Sequence, residues 1–323
     1  MNLYPLKFDP IFQYRIWGGN KLKTFLNKNI STDHIGESWE ISDVSENQTL
    51  VSNGPLKGRT IRDLINTFKG DLVGKKVYER FGTEFPLLIK FIDAKTPLSI
   101  QVHPSDELAK ERHNSFGKNE MWYIMDAEKD AEIIVGFEKE TNIEEYQKVL
   151  KEDKILDLLH IENPKKGDTY YIPTGRVHAI GAGILLAEIQ QTSDITYRIY
   201  DYNRVDTKTG KKRQLHTSEA IDAIDFSVIN SYKTSYTKKR DFKNELVNSK
   251  YFKTNFYTLT KNRSFDYTNL DSFVILICVE GTFEILELNK NIKVIAGETI
   301  LIPANIAKIS LLTTNTSIIE VTL

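Results

Sequence analysis

Cysteine is almost absent: Cys278 is the single one in 323 residues, which excludes an intramolecular disulfide framework and any zinc site built on paired cysteines. It lies in the apolar run Phe273–Val279 and reads as a buried core thiol, not a nucleophile. Histidine is scarce too, with six residues and none after His216. No apolar run approaches the ~18 residues of a membrane-crossing helix. The opening Met1-Asn2-Leu3-Tyr4-Pro5-Leu6-Lys7 has no apolar signal region, so the expectation is a cytoplasmic chain with no membrane partner. Charge of one sign is also lacking. Lys and Arg total 43 against 44 Asp and Glu, a net charge of −1. A nucleic-acid backbone demands a basic excess, so nucleic acid is not expected as a partner, although a local basic pocket for one small phosphate fits the balance. Neither a Gly-x-Gly-x-x-Gly nor a P-loop signature occurs.

What is present is a strand-rich pattern with helical insertions. The length suits roughly two domains of ~150 residues. Apolar spacing at Ile61, Leu64, Ile65, Phe68 and Leu72 predicts a helix over residues 60–80. Strands are expected over 85–103 and 167–203. Another helix is expected over 141–159, with Thr141 and Glu144 as a capping box, and a short one over 218–224. From about Asp241 the pattern is all strand, in short runs with polar turns, as in a β-sandwich or jelly roll. The expected division is a catalytic unit over residues 1–235 and a smaller unit over 236–323. An internal repeat supports two related units. The segment from Gly167 to His178 matches Gly297 to Lys308 at an offset of 130, sharing Gly, an acid, Thr, Ile and Pro. Lys308 stands where the first copy has His178, so a metal is expected only in the first.

Chemistry concentrates in that first unit. Gln101 and His103 sit two residues apart on an expected strand and share one face. His178 follows the Pro173-x-Gly175 turn, and Glu120 opens a third apolar run. An amide oxygen, two imidazoles and a carboxylate converging in one barrel would suit zinc, with manganese, iron and cobalt also compatible. Lys90 lies on a strand facing the barrel interior, where an unpaired lysine is costly. It is expected to bind substrate or to pair with Glu120 or Asp194. His34, His113, His160 and His216 read as structural or surface residues. Trp17, Trp39 and Trp122 read as core, with Trp39 the best exception as a stacking platform.

The string Gly167-x5-Pro173-x-Gly175-x2-His178 resembles the second motif of the cupin fold. Pro97-Leu98-Ser99-Ile100-Gln101-Val102-His103-Pro104 resembles the metal-ligand strand of type I phosphomannose isomerases. Lys118-Asn119-Glu120-Met121, the segment from Glu188 to Arg198, Trp17-Gly18-Gly19 and Gly36-Glu37-Ser38-Trp39-Glu40 are similar to further segments of that family, in the same order. The likeness runs from about residue 4 to the end. It implies a mainly β chain of two cupin jelly rolls, the first catalytic and the second degenerate. It places one zinc ion on Gln101, His103, Glu120 and His178, the active-site arginine on Arg198 and a proton-shuttling lysine on Lys118. That shuttle needs a pKa lowered toward neutrality. Lys90, Glu188 and Asp194 become substrate-binding candidates, the last two also as bases or as orienters of Arg198. The implied reaction interconverts mannose 6-phosphate and fructose 6-phosphate by proton transfer between C1 and C2 through an enediolate. Glucose 6-phosphate isomerisation, iron-dependent oxygen chemistry and non-catalytic sugar-phosphate binding are the alternatives. The partner is a small sugar phosphate, and the chain is a monomer or homodimer. Departures from the longer members are Phe116-Gly117 before Lys118, Asn119 in place of proline, and Ile195 in place of asparagine.

Overall fold

The computed structural model describes residues 2–286 and 291–323. Two opposed sheets form the first jelly roll. One has six strands, in the order Thr169–Ile172, Glu120–Ala127, Ile184–Gln191, Leu87–Ala94, Ile11–Gly19, Ile35–Ile41. The other has five: Tyr197–Tyr200, Ile100–Val102, His178–Ile180, Ile133–Phe137, Leu159–Glu162. Alternation along a strand assigns its two faces. On Leu87–Ala94, Ile89 and Phe91 join the packing outside the barrel. Ile92 joins Trp17, Trp122 and Ile180 inside it, and Lys90 lines the same interior.

The second jelly roll is an eight-stranded sheet spanning Asn244 to Thr322. Val274–Leu276 and Thr282–Ile285 belong to one twelve-residue strand, broken by a register shift between Cys278 and Glu280. Its interior is mainly apolar, including Leu276, Phe283, Ile300 and Ile318 with the buried thiol of Cys278, and it also holds the buried Glu320, which accepts from the Asn255 amide at 3.0 Å and the Tyr267 hydroxyl at 2.8 Å. Burial pushes that thiol up to about 12, so it is inert as expected.

The repeat is reproduced bond for bond. Gly167 and Gly297 adopt φ of 85° and 87°, a region open to glycine at little cost. Gly167 N–H donates to Ile124 O and Gly297 N–H to Cys278 O, both at 2.8 Å. The strands Thr169–Ile172 and Thr299–Ile302 follow. The copies diverge after the proline: Gly175 has φ of 86°, whereas Asn305 has no positive φ.

The helical expectations change in detail. The 60–80 helix is three short helices, Ile61–Phe68, Gly70–Val73 and Lys75–Phe81, because the backbone turns to positive φ at Lys69 and Gly74, at 48° and 99°. Thr60 and Asp63 form a capping box there. The 141–159 helix stops at Lys151 and is followed by a 3-10 turn, Ile155–Leu158. Its cap is Asn142, which accepts from Glu145 N–H at 2.9 Å, so the Thr141–Glu144 box does not form. The last helix, Thr217–Ala223, lies where expected.

The first roll's outer face, the helices and the second roll share one apolar cluster in which Phe85, Phe91 and Ile189 meet Phe273, Ile275 and Val321. Phe85 and Phe273 are fully buried, with ring centroids 4.8 Å apart. Phe273→Ala is expected to cost about 3–5 kcal/mol of unfolding free energy, read as a lower denaturant midpoint at unchanged slope.

Candidate metal centre and active-site pocket

Two tight turns bring the ligand candidates together. Gln101 and His178 are direct cross-strand partners. Gly175, in the turn before His178, donates its N–H to the His103 carbonyl at 3.0 Å. Glu120 starts its strand opposite Ile172 and Gln190. Asn119 anchors that start: its side-chain amide donates to Gln191 Oε1 at 2.7 Å, and its Oδ1 accepts from Thr174 N–H at 3.1 Å. The departure from proline at this position therefore supplies a buried clamp.

His103, Glu120 and His178 form a buried cluster whose ligand atoms lie within 4.8 Å of one another. His103 Nε2 is 3.4 Å from Glu120 Oε2, and His178 Nε2 is 3.6 Å from Glu120 Oε1. The outward nitrogens fix the tautomers. His103 Nδ1 faces the Ile195 carbonyl at 2.9 Å and His178 Nδ1 the Arg176 carbonyl at 2.8 Å. A carbonyl only accepts, so each Nδ1 carries the proton and each Nε2 presents a lone pair to the cluster. Burial, reinforced by Lys118, outweighs Glu120 and holds His103 at about 3, and burial also lowers His178. Both rings are therefore neutral, the state that binds metal. Gln101 Nε2 lies 3.2 Å from His178 Nε2. A half-turn of the amide puts its oxygen there. This donor set of two neutral imidazoles, one carboxylate and one amide fits a divalent cation.

The cluster opens on a cavity of about 420 Å³. A cross-strand row crosses its floor: Trp39 opposite Lys90, Lys90 opposite Glu188, Glu188 opposite Trp122. Lys90 Nζ is 3.3 Å from Glu188 Oε1 and 4.0 Å from Glu37 Oε2. The expected pairing of Lys90 with Glu120 or Asp194 is thus replaced, because register sets Glu188 beside it. Trp122 Nε1 donates to both Glu120 and Glu188, at 2.9 and 3.0 Å. Trp39 is buried and turns its Nε1–H to Glu37 at 2.6 Å. Lys118 contacts Glu120 and lies 3.2 Å from His103 Nε2. Its pKa is raised, not lowered: burial pulls it down, but Glu120 and Glu188 outweigh burial. Arg198 reaches Ser99 Oγ at 3.3 Å and the Gln214 carbonyl at 2.7 Å. Neither Glu188 nor Asp194 orients it. Asp194 is exposed at the cavity rim.

Sequence reasoning assigned no role to Glu37, Arg15 or Arg213, all of which line the cavity. Glu37 accepts from Arg15 Nε and Nη2 at 3.0 and 2.9 Å. Its place inside the Gly36–Glu40 motif was the available signal. His216, expected to be structural or at the surface, has an Nδ1 that accepts from the Arg198 backbone N–H at 3.2 Å.

A jelly roll with an inward His/Glu/His cluster that could hold a metal defines a cupin. Residues 5–147 match the family described as phosphomannose isomerase type I, catalytic domain, and residues 243–323 match mannose-6-phosphate isomerase, cupin domain. Mannose-6-phosphate isomerase ManA of Bacillus subtilis is 38% identical over 284 residues, 87% of each chain. Mannose-6-phosphate isomerase of Streptococcus mutans is 39% identical over 68% of this chain and 67% of its own. The crystal structure of the mannose 6-phosphate isomerase from Bacillus subtilis superposes with a TM-score of 0.89 at 31% identity, covering 98% of this chain and 99% of that one. The chain belongs to the type I phosphomannose isomerase family. No helix among the described residues is long and apolar enough to cross a membrane.

Glu37 supplies a test of the pocket's electrostatics. Burial opposes its ionisation, but Arg15, Lys90 and the Trp39 bond win and hold it at about 2, against an ordinary 4.5. Its stabilisation is complete above the ordinary value and lost as pH falls through about 2. Across that window wild type should lose unfolding free energy more steeply than Glu37→Gln in denaturant titrations. Equal slopes would show that this carboxylate contributes nothing.

Proposed function

We propose that the chain is a zinc-dependent aldose–ketose isomerase interconverting mannose 6-phosphate and fructose 6-phosphate. The observation that carries this reading is the pair of Nδ1–H bonds to backbone carbonyls, which turn both His Nε2 lone pairs toward Glu120 beside a charged cavity. His103, His178, Glu120 and Gln101 would hold the metal. When bound, it supplies positive charge that orients and polarises the sugar oxygens.

The chain's own residues account for the remaining chemistry. Removing the C2 proton leaves enediolate charge on O1 and O2. Arg198, cross-strand partner of Gln101, carries a guanidinium free of any carboxylate partner among the described residues and is placed to stabilise that charge. Lys118, in contact with Glu120 and within reach of His103, is assigned the proton shuttle; the carboxylate charge that raises its pKa is offset when a cation is held at Glu120, which brings it toward the lowered value this role needs. Lys90 and Glu188 form a fixed ion pair that presents hydrogen-bonding groups to sugar hydroxyls, and Asp194 does so at the rim. Catalysis is assigned to residues 1–235. Residues 236–323 are structural, a role supported by the lack of any histidine there and by Lys308 at the His178 position, where it pairs with Asp266 at 3.2 Å.

The test combines metal analysis with a coupled isomerase assay on mannose 6-phosphate before and after chelation. Near-stoichiometric zinc and chelator-sensitive turnover are expected. Bound metal without turnover would transfer the reading to another sugar phosphate. His103→Ala and His178→Ala should each lose both metal and activity. Arg198→Ala should keep its metal and lose most turnover, on the order of a hundredfold or more; full activity would remove Arg198 from its assigned role.

A further inference from the structure

One wall of the cavity is a basic hairpin that the proposed reaction leaves unused. Residues 201–213 carry Arg204, Lys208, Lys211, Lys212 and Arg213 against Asp201 and Asp206, in a chain whose charges otherwise nearly cancel. Val205–Asp206 and Lys211–Lys212 pair antiparallel. Two contacts lean the hairpin on the Ile11–Gly19 strand. The Tyr14 hydroxyl donates to Asp206 Oδ1 at 3.1 Å, and Lys208 Nζ lies 4.9 Å from the Tyr14 ring centroid.

Arg213 differs from the other cavity cations in where its counter-ion lies. Arg15 and Lys90 meet Glu37 and Glu188 within the cavity lining, and Lys118 meets the ligand candidate Glu120. Their charge is spent locally. Arg213 is held by Asp201, a buried carboxylate outside the lining. Its Nε donates to Oδ2 at 2.9 Å and its Nη2 to Oδ1 at 2.5 Å. Arg204 Nη2 reaches the same Oδ1 at 2.5 Å, which fixes Asp201 from its other side. This grip uses one edge of the guanidinium fork. Nη1 has no acceptor among the described residues. Arg198 bonds the carbonyl of Gln214, the residue after Arg213, so two guanidiniums share this end of the cavity. Burial, together with repulsion from Arg213, lowers Arg198 to about 10. Arg204 and Arg213 share the single carboxylate of Asp201 and Arg198 has none among the described residues, so this end of the cavity carries an excess of positive charge, which a dianionic phosphate satisfies.

We propose that Arg213 grips the phosphate of the substrate, with Asp201 as its positioning residue, leaving Arg198 free for the reacting end of the sugar. The inference rests on the sugar-phosphate reading above. It excludes a role for Arg213 as a mere staple of the hairpin.

The test uses the full-length, metal-loaded chain. Arg213→Ala should raise KM for mannose 6-phosphate about ten- to a hundredfold, with kcat changed only a few-fold. It should weaken competitive inhibition by inorganic phosphate in parallel. Asp201→Asn should give a smaller rise in KM at similar kcat, and Arg213→Lys a partial recovery. Lys212→Ala, on the same hairpin but bonded outward to Asn203 at 3.1 Å, should match wild type. KM and phosphate inhibition both unchanged in Arg213→Ala would overturn the proposal. A wild type that does not turn over mannose 6-phosphate would instead overturn the functional reading. Calorimetric titration of both proteins with inorganic phosphate and with mannose 6-phosphate then decides the arginine separately, equal binding counting against it. If Arg213→Ala melts early by circular dichroism, Arg213→Gln, which keeps an amide for Asp201, replaces it.

Discussion

Mutual neutralisation of buried charge is the constraint on which the first jelly roll is organised. Glu37, Lys90, Lys118, Glu120 and Glu188 are each at most 7% exposed. A lone charge at such depth costs several kcal/mol, and removing one member of a buried pair strands the other. The protein meets this through register. Adjacent strands set Glu188 between Lys90 and Trp122, and the two indoles cap carboxylates that the lysines leave partly bare. Each charged group is thereby held in one place, the condition for a pre-organised site.

The same sheet keeps this polarity apart from the forces that hold the molecule together. On Leu87–Ala94 and Ile184–Gln191, residues facing outward enter the apolar cluster shared with the helices and the second roll, while Lys90 and Glu188 face inward. Burial on the outer face supplies the stabilisation, and the inner face is free to carry groups that a core would reject. The helical insertion adds backbone links. Ala304 and Asn305 donate to the carbonyls of Leu72 and Asp71 at 2.9 Å, and Asp271 accepts from the N–H groups of Lys75 and Lys76 at 2.6 and 3.1 Å. The wall opposite the cavity is thus clamped independently of what the cavity holds.

Local signals in the sequence carried much of this. Period-two alternation at Gln101 and His103, and the glycine turn before His178, foretold two imidazoles on neighbouring strands, since both depend only on short-range geometry. The jelly-roll class followed from many short strands and the 130-residue repeat. The partner of Lys90 was not legible, because cross-strand register depends on residues almost a hundred positions away. The direction of the Lys118 shift was missed for a related reason: spacing showed a lysine near Glu120 but not that Glu188 also faces it. Arg213 lay in a polar stretch outside the expected strands and helices, and its place on the cavity wall appears only when the hairpin folds over it. Helix ends failed where glycine and a competing Asn142 cap decided the boundary.

The turn shared by the two jelly rolls has a consequence for substitution. Its shape comes from backbone bonds around Gly167 and Gly297 and from the proline that follows. One backbone can therefore end on quite different side chains: His178, buried, in the first roll and Lys308, exposed, in the second. Shape and side-chain chemistry are separable at this position, and the turn serves as a reusable frame.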